Sequence, residues 1–118
     1  MDKTGPTFGP ITVSPPNATR GGGTVTVTVS GSITTLTDLN FSSGTYTITD
    51  SKSSNVVNGT FTIKDTDPNK GSFSFSVNIS RSNNGPNNPN NLRYYTFTLN
   101  AADTLGNIGT ATAQFTVQ

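Results

Sequence analysis

Hydrophobic and polar residues alternate with a period of two along most of the chain. In "TVTVTV" (Thr24–Val29) and "SFSFSVNIS" (Ser72–Ser80) every second residue is apolar, and those between are Thr, Ser or Asn. Because successive side chains of a β-strand point to opposite faces, each segment predicts a strand with one apolar face. The same pattern occurs in "ITV" from Ile11, "TYTIT" from Thr45, "TFTIK" from Thr60, "YTFTLNA" from Tyr95 and "ATAQFTV" from Ala111.

Seven such strands predict two antiparallel sheets packed face to face. Residues rich in Gly, Pro, Asn and Asp separate the strands, as expected of turns. We therefore expect an all-β sandwich with Greek-key connections, formed as a single domain by residues 11–118. Residues 1–10, with "GP" at Gly5 and Gly9, are expected to be a linker or the start of an excised segment.

Two connections are longer than a turn. The first, Gly31–Ser43, carries Ile33, Leu36, Leu39 and Phe41, and we expect it to close one end of the core. The second, "RSNNGPNNPNN" at Arg81–Asn91, has no apolar residue, which is typical of a surface loop.

Composition narrows the functional classes. Net charge is +1 and no basic block is present, so we expect no nucleic-acid partner. No run of eighteen apolar residues occurs, so we expect no membrane insertion. Because the chain has no His, Cys or Glu, it lacks the common bases, thiol nucleophiles and zinc ligands. These features favour a non-catalytic protein, and we expect a monomer.

The last third resembles bacterial immunoglobulin-like domains of exported surface proteins. The resemblance lies in "RYYTFTLNAADTLGNIGTATAQFTV" (Arg93–Val117): a Tyr-led strand, an "A-x-D-x-x-G-N" turn, then a Thr/Ala-rich strand. "GGTVTVTVSGS" (Gly22–Ser32), "TYTITDS" (Thr45–Ser51) and "GSFSFSVNIS" (Gly71–Ser80) fit the same domains in the same order. The resemblance implies a seven-stranded immunoglobulin-like sandwich at the cell surface or outside the cell.

The resemblance gives particular roles to three residues of the turn. In the turn, Asp103 can accept backbone N–H groups, Gly106 can take a positive φ and Asn107 tolerates one. Some relatives bind calcium near this turn through the matching Asp, so Asp103 has both a structural and a metal-binding interpretation. Tyr95 is a candidate for a tyrosine corner, in which the hydroxyl bonds nearby backbone.

The stretch "DTDPNKG" also has two interpretations. Asp65, Asp67 and Asn69 place oxygen ligands at alternate positions, as in the calcium loop of an EF-hand. That loop, however, needs Gly at its sixth position and Glu at its twelfth, where this chain has Lys70 and Ser76. These departures favour a turn between two strands. We expect no cofactor, with Ca²⁺ as the alternative at Asp65, Asp67, Asn69 and Asp103.

These observations lead to two functional hypotheses. The first is a structural or spacer module of a larger exported protein, such as a tandem repeat of an adhesin stalk, whose partners are neighbouring domains of the same chain. The alternative is a module that binds a carbohydrate or protein through residues 81–94. Arg93 and Tyr94 are its candidate residues, because Tyr94 falls on the outward face beside the Asn-rich loop.

Overall fold

The computed structural model describes residues 5–36, 38–67, 69–83 and 91–118, which form ten strands and no helix. The strands are β1 (Thr7–Phe8), β2 (Thr12–Ser14), β3 (Asn17–Ala18), β4 (Thr24–Thr34), β5 (Thr45–Asp50), β6 (Ser53–Thr60), β7 (Ile63–Asp67), β8 (Lys70–Ser80), β9 (Arg93–Ala102) and β10 (Ile108–Val117). Over these ranges the chain therefore has no helical segment able to cross a membrane.

The strands form two five-stranded sheets. In the first sheet, β1 and β2 both pair with β4, and β8 and β7 follow. In the second sheet the order is β3-β10-β9-β5-β6. The all-β, two-sheet prediction is confirmed, whereas the prediction of seven strands is wrong. The sheets are also not wholly antiparallel, because β3 runs parallel to β10.

The strands that the pattern missed lie at sheet edges. β1 and β3 have two residues each, so they are too short to show an alternation. β6 is longer, but its adjacent residues Val56 and Val57 are 54% and 53% exposed, and neither marks a buried face. Thr7–Phe8 also lies within the predicted linker and pairs with Thr34 and Ile33 of β4.

The core is formed by the residues that alternate inward from both sheets. Buried positions are Val27, Val29, Ile33, Leu39, Ile48, Phe61, Ile63, Phe73, Ile79, Tyr95, Phe97, Leu99, Ala101, Phe115 and Val117. Stacked aromatic rings join the sheets: Tyr46 of β5 lies 4.7 Å from Phe75 of β8, centroid to centroid. Phe61, between β6 and β7, lies 4.9 Å from Phe73 of β8.

The two ends of the sandwich are built differently. We define the N-terminal end by residues 35–44, the β7–β8 turn and the β9–β10 turn, beside which Gly5 contacts Ile108. The opposite, C-terminal end contains residues 19–23, 51–52, 81–83 and Gln118. Leu39 is buried and closes the N-terminal end, as predicted for its segment. The expectation that Leu36 also helps to close it is wrong, because that side chain is 79% exposed.

Replacing a central core residue tests this packing. Phe97 lies on the middle strand of the second sheet and is 0% exposed. We expect Phe97→Ala to lower the free energy of unfolding by about 3–5 kcal/mol, because it removes buried surface and leaves a cavity. Urea denaturation measures the loss, with Thr112→Ala, at an exposed position of β10, as the control. A loss below about 1 kcal/mol would contradict this core.

Candidate functional site

An ion pair joins two adjacent strands of the second sheet at the C-terminal end. Asp50 ends β5 and Arg93 begins β9, and the antiparallel register brings these strand ends together. Arg93 Nε donates to Asp50 Oδ1 at 3.0 Å and to Oδ2 at 3.1 Å, and Nη2 also donates to Oδ2. Nη1 donates to the carbonyl oxygen of Ser82 at 2.7 Å. The guanidinium therefore ties the second sheet to the segment that follows β8.

The pair lies in a partly desolvated environment. The side chains of Arg93 and Asp50 are only 18% and 9% exposed. Hydrogen bonding to Arg93 lowers the pKa of the Asp50 carboxyl below its ordinary value, against the effect of burial, and the Lys52 backbone N–H adds to the lowering. Hydrogen bonding to Asp50 in turn raises the pKa of Arg93. Both groups are therefore held in their charged forms.

Tyr95 packs against this ion pair. The Arg93 guanidinium carbon lies 5.0 Å from the centroid of the Tyr95 ring, within the range of a cation–π contact. Burial raises the pKa of the Tyr95 hydroxyl, and the charge of Arg93 opposes that rise. The hydroxyl donates to the carbonyl oxygen of Ser80 at 3.3 Å, and so reaches the last residue of β8 in the facing sheet.

Three further basic side chains cover the same end. Arg20 Nε donates to the carbonyl oxygen of Gln118 at 3.1 Å, and Nη1 to that of Asn83 at 3.0 Å. Arg81 Nε donates to the carbonyl oxygen of Thr19 at 3.1 Å. Lys52 Nζ donates to Asn83 Oδ1 at 2.9 Å and to Asn91 Oδ1. Arg20 and Arg81 therefore bond to backbone carbonyl oxygens at this end, whereas Lys52 bonds to side-chain amide oxygens.

The two predicted ligand-binding residues differ in their surroundings. Arg93 is engaged with Asp50, Ser82 and Tyr95, whereas the Tyr94 side chain is 39% exposed. The middle of the predicted loop, residues 84–90, lies outside the described residues. Sequence reasoning missed Asp50. The signal available in the sequence was that Asp50 directly follows one predicted strand and Arg93 lies just before another, so antiparallel pairing of the two would bring the charges together.

A groove opens between the sheets next to Tyr95. Its apolar lining comes from Ile48 and Val57 of the second sheet and from Val77 and Ile79 of the first. In the described residues β7 pairs with β8 only between Lys70 and Phe73. The part of β8 that contains Val77 and Ile79 therefore has no β7 residue paired beside it. The groove has a largely apolar lining and is a candidate for a small contact surface.

Asp103 is enclosed by the β9–β10 turn at the N-terminal end. Its side chain is 1% exposed, and Oδ1 accepts the backbone N–H groups of Leu105 at 3.0 Å and Asn107 at 2.9 Å. Oδ2 accepts from Asn107 Nδ2 at 3.0 Å. Gly106 has φ +89°, a conformation that glycine adopts without steric cost. All three predicted turn residues therefore meet in one network.

The "DTDPNKG" stretch forms the β7–β8 hairpin at the same end. Asp67 pairs with Lys70, and Asp67 Oδ1 accepts the backbone N–H of Asn69 at 3.1 Å. Asp65 and Asp67 are exposed, and Pro68 lies outside the described residues. Over the described ranges no three Asp residues come close enough to form a metal-binding group. The structure thus does not bring Asp65, Asp67 and Asp103 together as one ligand set.

No family model matches this chain, and no curated protein matches it.

The Asp50–Arg93 pair predicts a pH dependence of stability. Because the folded-state pKa of Asp50 is lowered, its contribution is present above the unfolded pKa of about 4 and is lost as pH falls through the folded pKa. We expect Asp50→Asn to lower the free energy of unfolding by about 2 kcal/mol at pH 7. The difference from the unmodified protein should shrink toward pH 2.

Urea denaturation at pH 7 and at pH 2–3 measures both values. Asp65→Asn, at an exposed position of β7, is the matched control and should change stability by less than about 0.5 kcal/mol at either pH. A loss in Asp50→Asn that is equally large at both pH values would contradict the charge-dependent role of the pair.

The Asp103 network predicts a structural effect at the β9–β10 turn. Asp103→Ala leaves the N–H groups of Leu105 and Asn107 without their acceptor, so we expect a loss of about 2–3 kcal/mol. The loss should be the same in millimolar calcium and in excess chelator. Thermal unfolding measures it, with Asp65→Ala as the matched variant at the other turn. A calcium-induced rise in the midpoint that Asp103→Ala abolishes would instead assign an ion to this turn.

Proposed function

We propose that this chain is a non-catalytic, immunoglobulin-like spacer module of a larger exported surface protein. The strand order supports the immunoglobulin-like assignment. In such sandwiches the first, second, fifth and fourth strands share one sheet, and the third, sixth and seventh share the other. Here β1 and β2 together count as the first strand, and β3 and β6 are additions to the second sheet. The first sheet then holds the first, second, fifth and fourth strands as β1/β2, β4, β8 and β7, and the second holds the third, sixth and seventh as β5, β9 and β10. The Tyr95 hydroxyl bond to Ser80 is similar to a tyrosine corner and adds support.

The observation that carries the spacer proposal is the path of the chain. β1 begins at the N-terminal end, beside Ile108, and β10 finishes at the C-terminal end, where Gln118 bonds to Ala18 and Arg20. The body measures 53 × 22 × 21 Å. A domain entered at one end of its long axis and left at the other adds its full length to a tandem array.

The strand pairing at the two ends of the chain suits a module under tension. β3 and β10 run parallel, with Asn17 opposite Thr116 and Ala18 opposite Val117. Pulling the chain ends apart draws β3 and β10 along each other in opposite directions. Their hydrogen bonds, which cross between the strands, then resist the force together, whereas a peeling force would break such bonds one at a time.

Single-molecule pulling tests this proposal. The chain has no Cys, so introduced cysteines give unique attachment points. Attachment before Gly5 and after Gln118 loads the strands in shear. Attachment through Lys70→Cys and Thr104→Cys, two exposed positions at the N-terminal end, loads the same fold across its sheets. We expect a higher unfolding force in the first geometry at the same loading rate.

The two attachment geometries use the same fold, and the melting temperature of the Cys variant shows whether it is intact. An end-to-end unfolding force no higher than the lateral force would contradict a load-bearing spacer. The sequence that flanks this chain in its gene offers an independent observation, because tandem copies are expected for a spacer.

A second candidate function is a ligand-binding module, favoured by the apolar groove beside Tyr95 and by the exposed ring of Tyr94. Such a module would take a glycan or an extended protein segment. Chemical-shift changes of Ile48, Val77 and Tyr94 on titration with oligosaccharides or peptides would support it over the spacer. An adjacent catalytic domain in the gene would point the same way.

A further inference from the structure

The charged residues are divided between the two ends of the sandwich. All charged side chains except those of Asp2 and Lys3 belong to described residues, and these two carry opposite charges. At the C-terminal end lie four basic residues, Arg20, Lys52, Arg81 and Arg93, with Asp50 as the one acid among the described residues there. That end is therefore positively charged.

The N-terminal end has the opposite sign. Asp38 lies in its connection, Asp103 in the β9–β10 turn, and Asp65 and Asp67 at the end of β7. The basic residues there are Lys64 and Lys70, so acids outnumber bases. Asp38, Asp65 and Asp67 are exposed, and the buried Asp103 adds to the field from within. The near-neutral net charge of +1 thus conceals a domain with a basic end and an acidic end.

Exposed apolar side chains accompany the acids. Leu36 is 79% exposed, Leu105 60% and Ile108 66%, and all three lie at the N-terminal end. Gly5 lies against the backbone of Ile108 and lines a cavity with Leu36, so the start of the described chain lies beside these residues. Acidic and apolar side chains exposed together at one end of a domain suit a contact surface.

We propose that the acidic, apolar N-terminal end docks onto the basic C-terminal end of a second copy of this chain. The inference rests on the proposed spacer function and names the partner of its two ends. In a tandem array the C-terminal end of one copy faces the N-terminal end of the next. A basic surface therefore faces an acidic surface at each junction. The contact joins two different surfaces, which extends copies into a rod instead of closing them into a dimer.

The size of the ends implies that docking needs the covalent connection. Perpendicular to its long axis the domain measures 22 × 21 Å, a cross-section of roughly 400 Å² or about half the area per partner in a standard stable interface. Separate copies should therefore associate only weakly. A direct connection raises the effective concentration to about the millimolar range, where such a contact becomes populated.

A tandem of two complete chains tests the proposal. One dye is placed on each copy through Thr112→Cys, an exposed position at mid-length of β10, and single-molecule energy transfer reports the distance between copies. At 0.1 M salt we expect one narrow, docked distance population. At 1 M salt, where the screening length falls from about 10 Å to about 3 Å, we expect a severalfold loss of docked molecules.

The same substitutions, placed in only one copy of the tandem at a time, provide a matched control. Asp38→Asn with Asp65→Asn in the second copy removes charge from the docked face, and should lower the docking equilibrium constant roughly fivefold. The same pair in the first copy lies at the free end of the tandem and should leave docking unchanged. Lys64→Glu with Lys70→Glu in the second copy should strengthen docking, since it makes the acidic end more negative.

The apolar part of the contact is tested separately. Leu105→Ser with Ile108→Ser in the second copy should weaken docking at both salt concentrations. A broad distance distribution at 0.1 M salt would overturn the proposal, as would equal effects of the Asp38/Asp65 pair in either copy. Either result would be compatible with a spacer whose copies do not dock. The pulling experiment tests the spacer function separately.

Discussion

The packing of two inward-facing sheet surfaces is the interaction on which the rest of this structure depends. Only 30% of the residues are hydrophobic, and the long strands place most of theirs at alternate positions that face the opposite sheet. Stacked aromatic rings at Tyr46, Phe61 and Phe75 carry contact from β5 across to β8.

Hydrogen-bond networks at the two ends of the sandwich satisfy backbone groups that neither the sheets nor the apolar core can pair. Strand ends leave backbone groups without partners in the sheets, and a buried group of this kind is costly. At the N-terminal end Asp103 accepts from the β9–β10 turn, so a carboxylate satisfies N–H groups. At the C-terminal end Arg20, Arg81 and Arg93 donate to carbonyl oxygens. Apart from Asp50, Lys64 and Lys70, the charged side chains of the described residues are divided by sign between the two ends.

The division of charge between the two ends connects the local hydrogen bonds with the proposed docking of neighbouring copies. The same cations that hold loop carbonyls give the C-terminal end its positive charge, and the turn acids contribute to the negative charge of the other end. Asp50 has a separate role, because it neutralises and orients Arg93 beside Tyr95. An end built for satisfied hydrogen bonds can therefore also act as a charged surface toward a neighbouring domain.

The sequence by itself determined the elements whose residues alternate between core and solvent. β4, β8, β9 and β10 could be predicted because their inward residues obey a period of two. The turn of Asp103, Gly106 and Asn107 was predicted through the family resemblance, and its residue types favour tight turns. Only the tertiary structure decided the edge strands and the contacts between strand ends. β1, β3 and β6 form because a neighbouring strand offers hydrogen bonds, which no local pattern records. The Asp50–Arg93 pair and the division of charge likewise arise from register and folding, which bring together residues 43 positions apart.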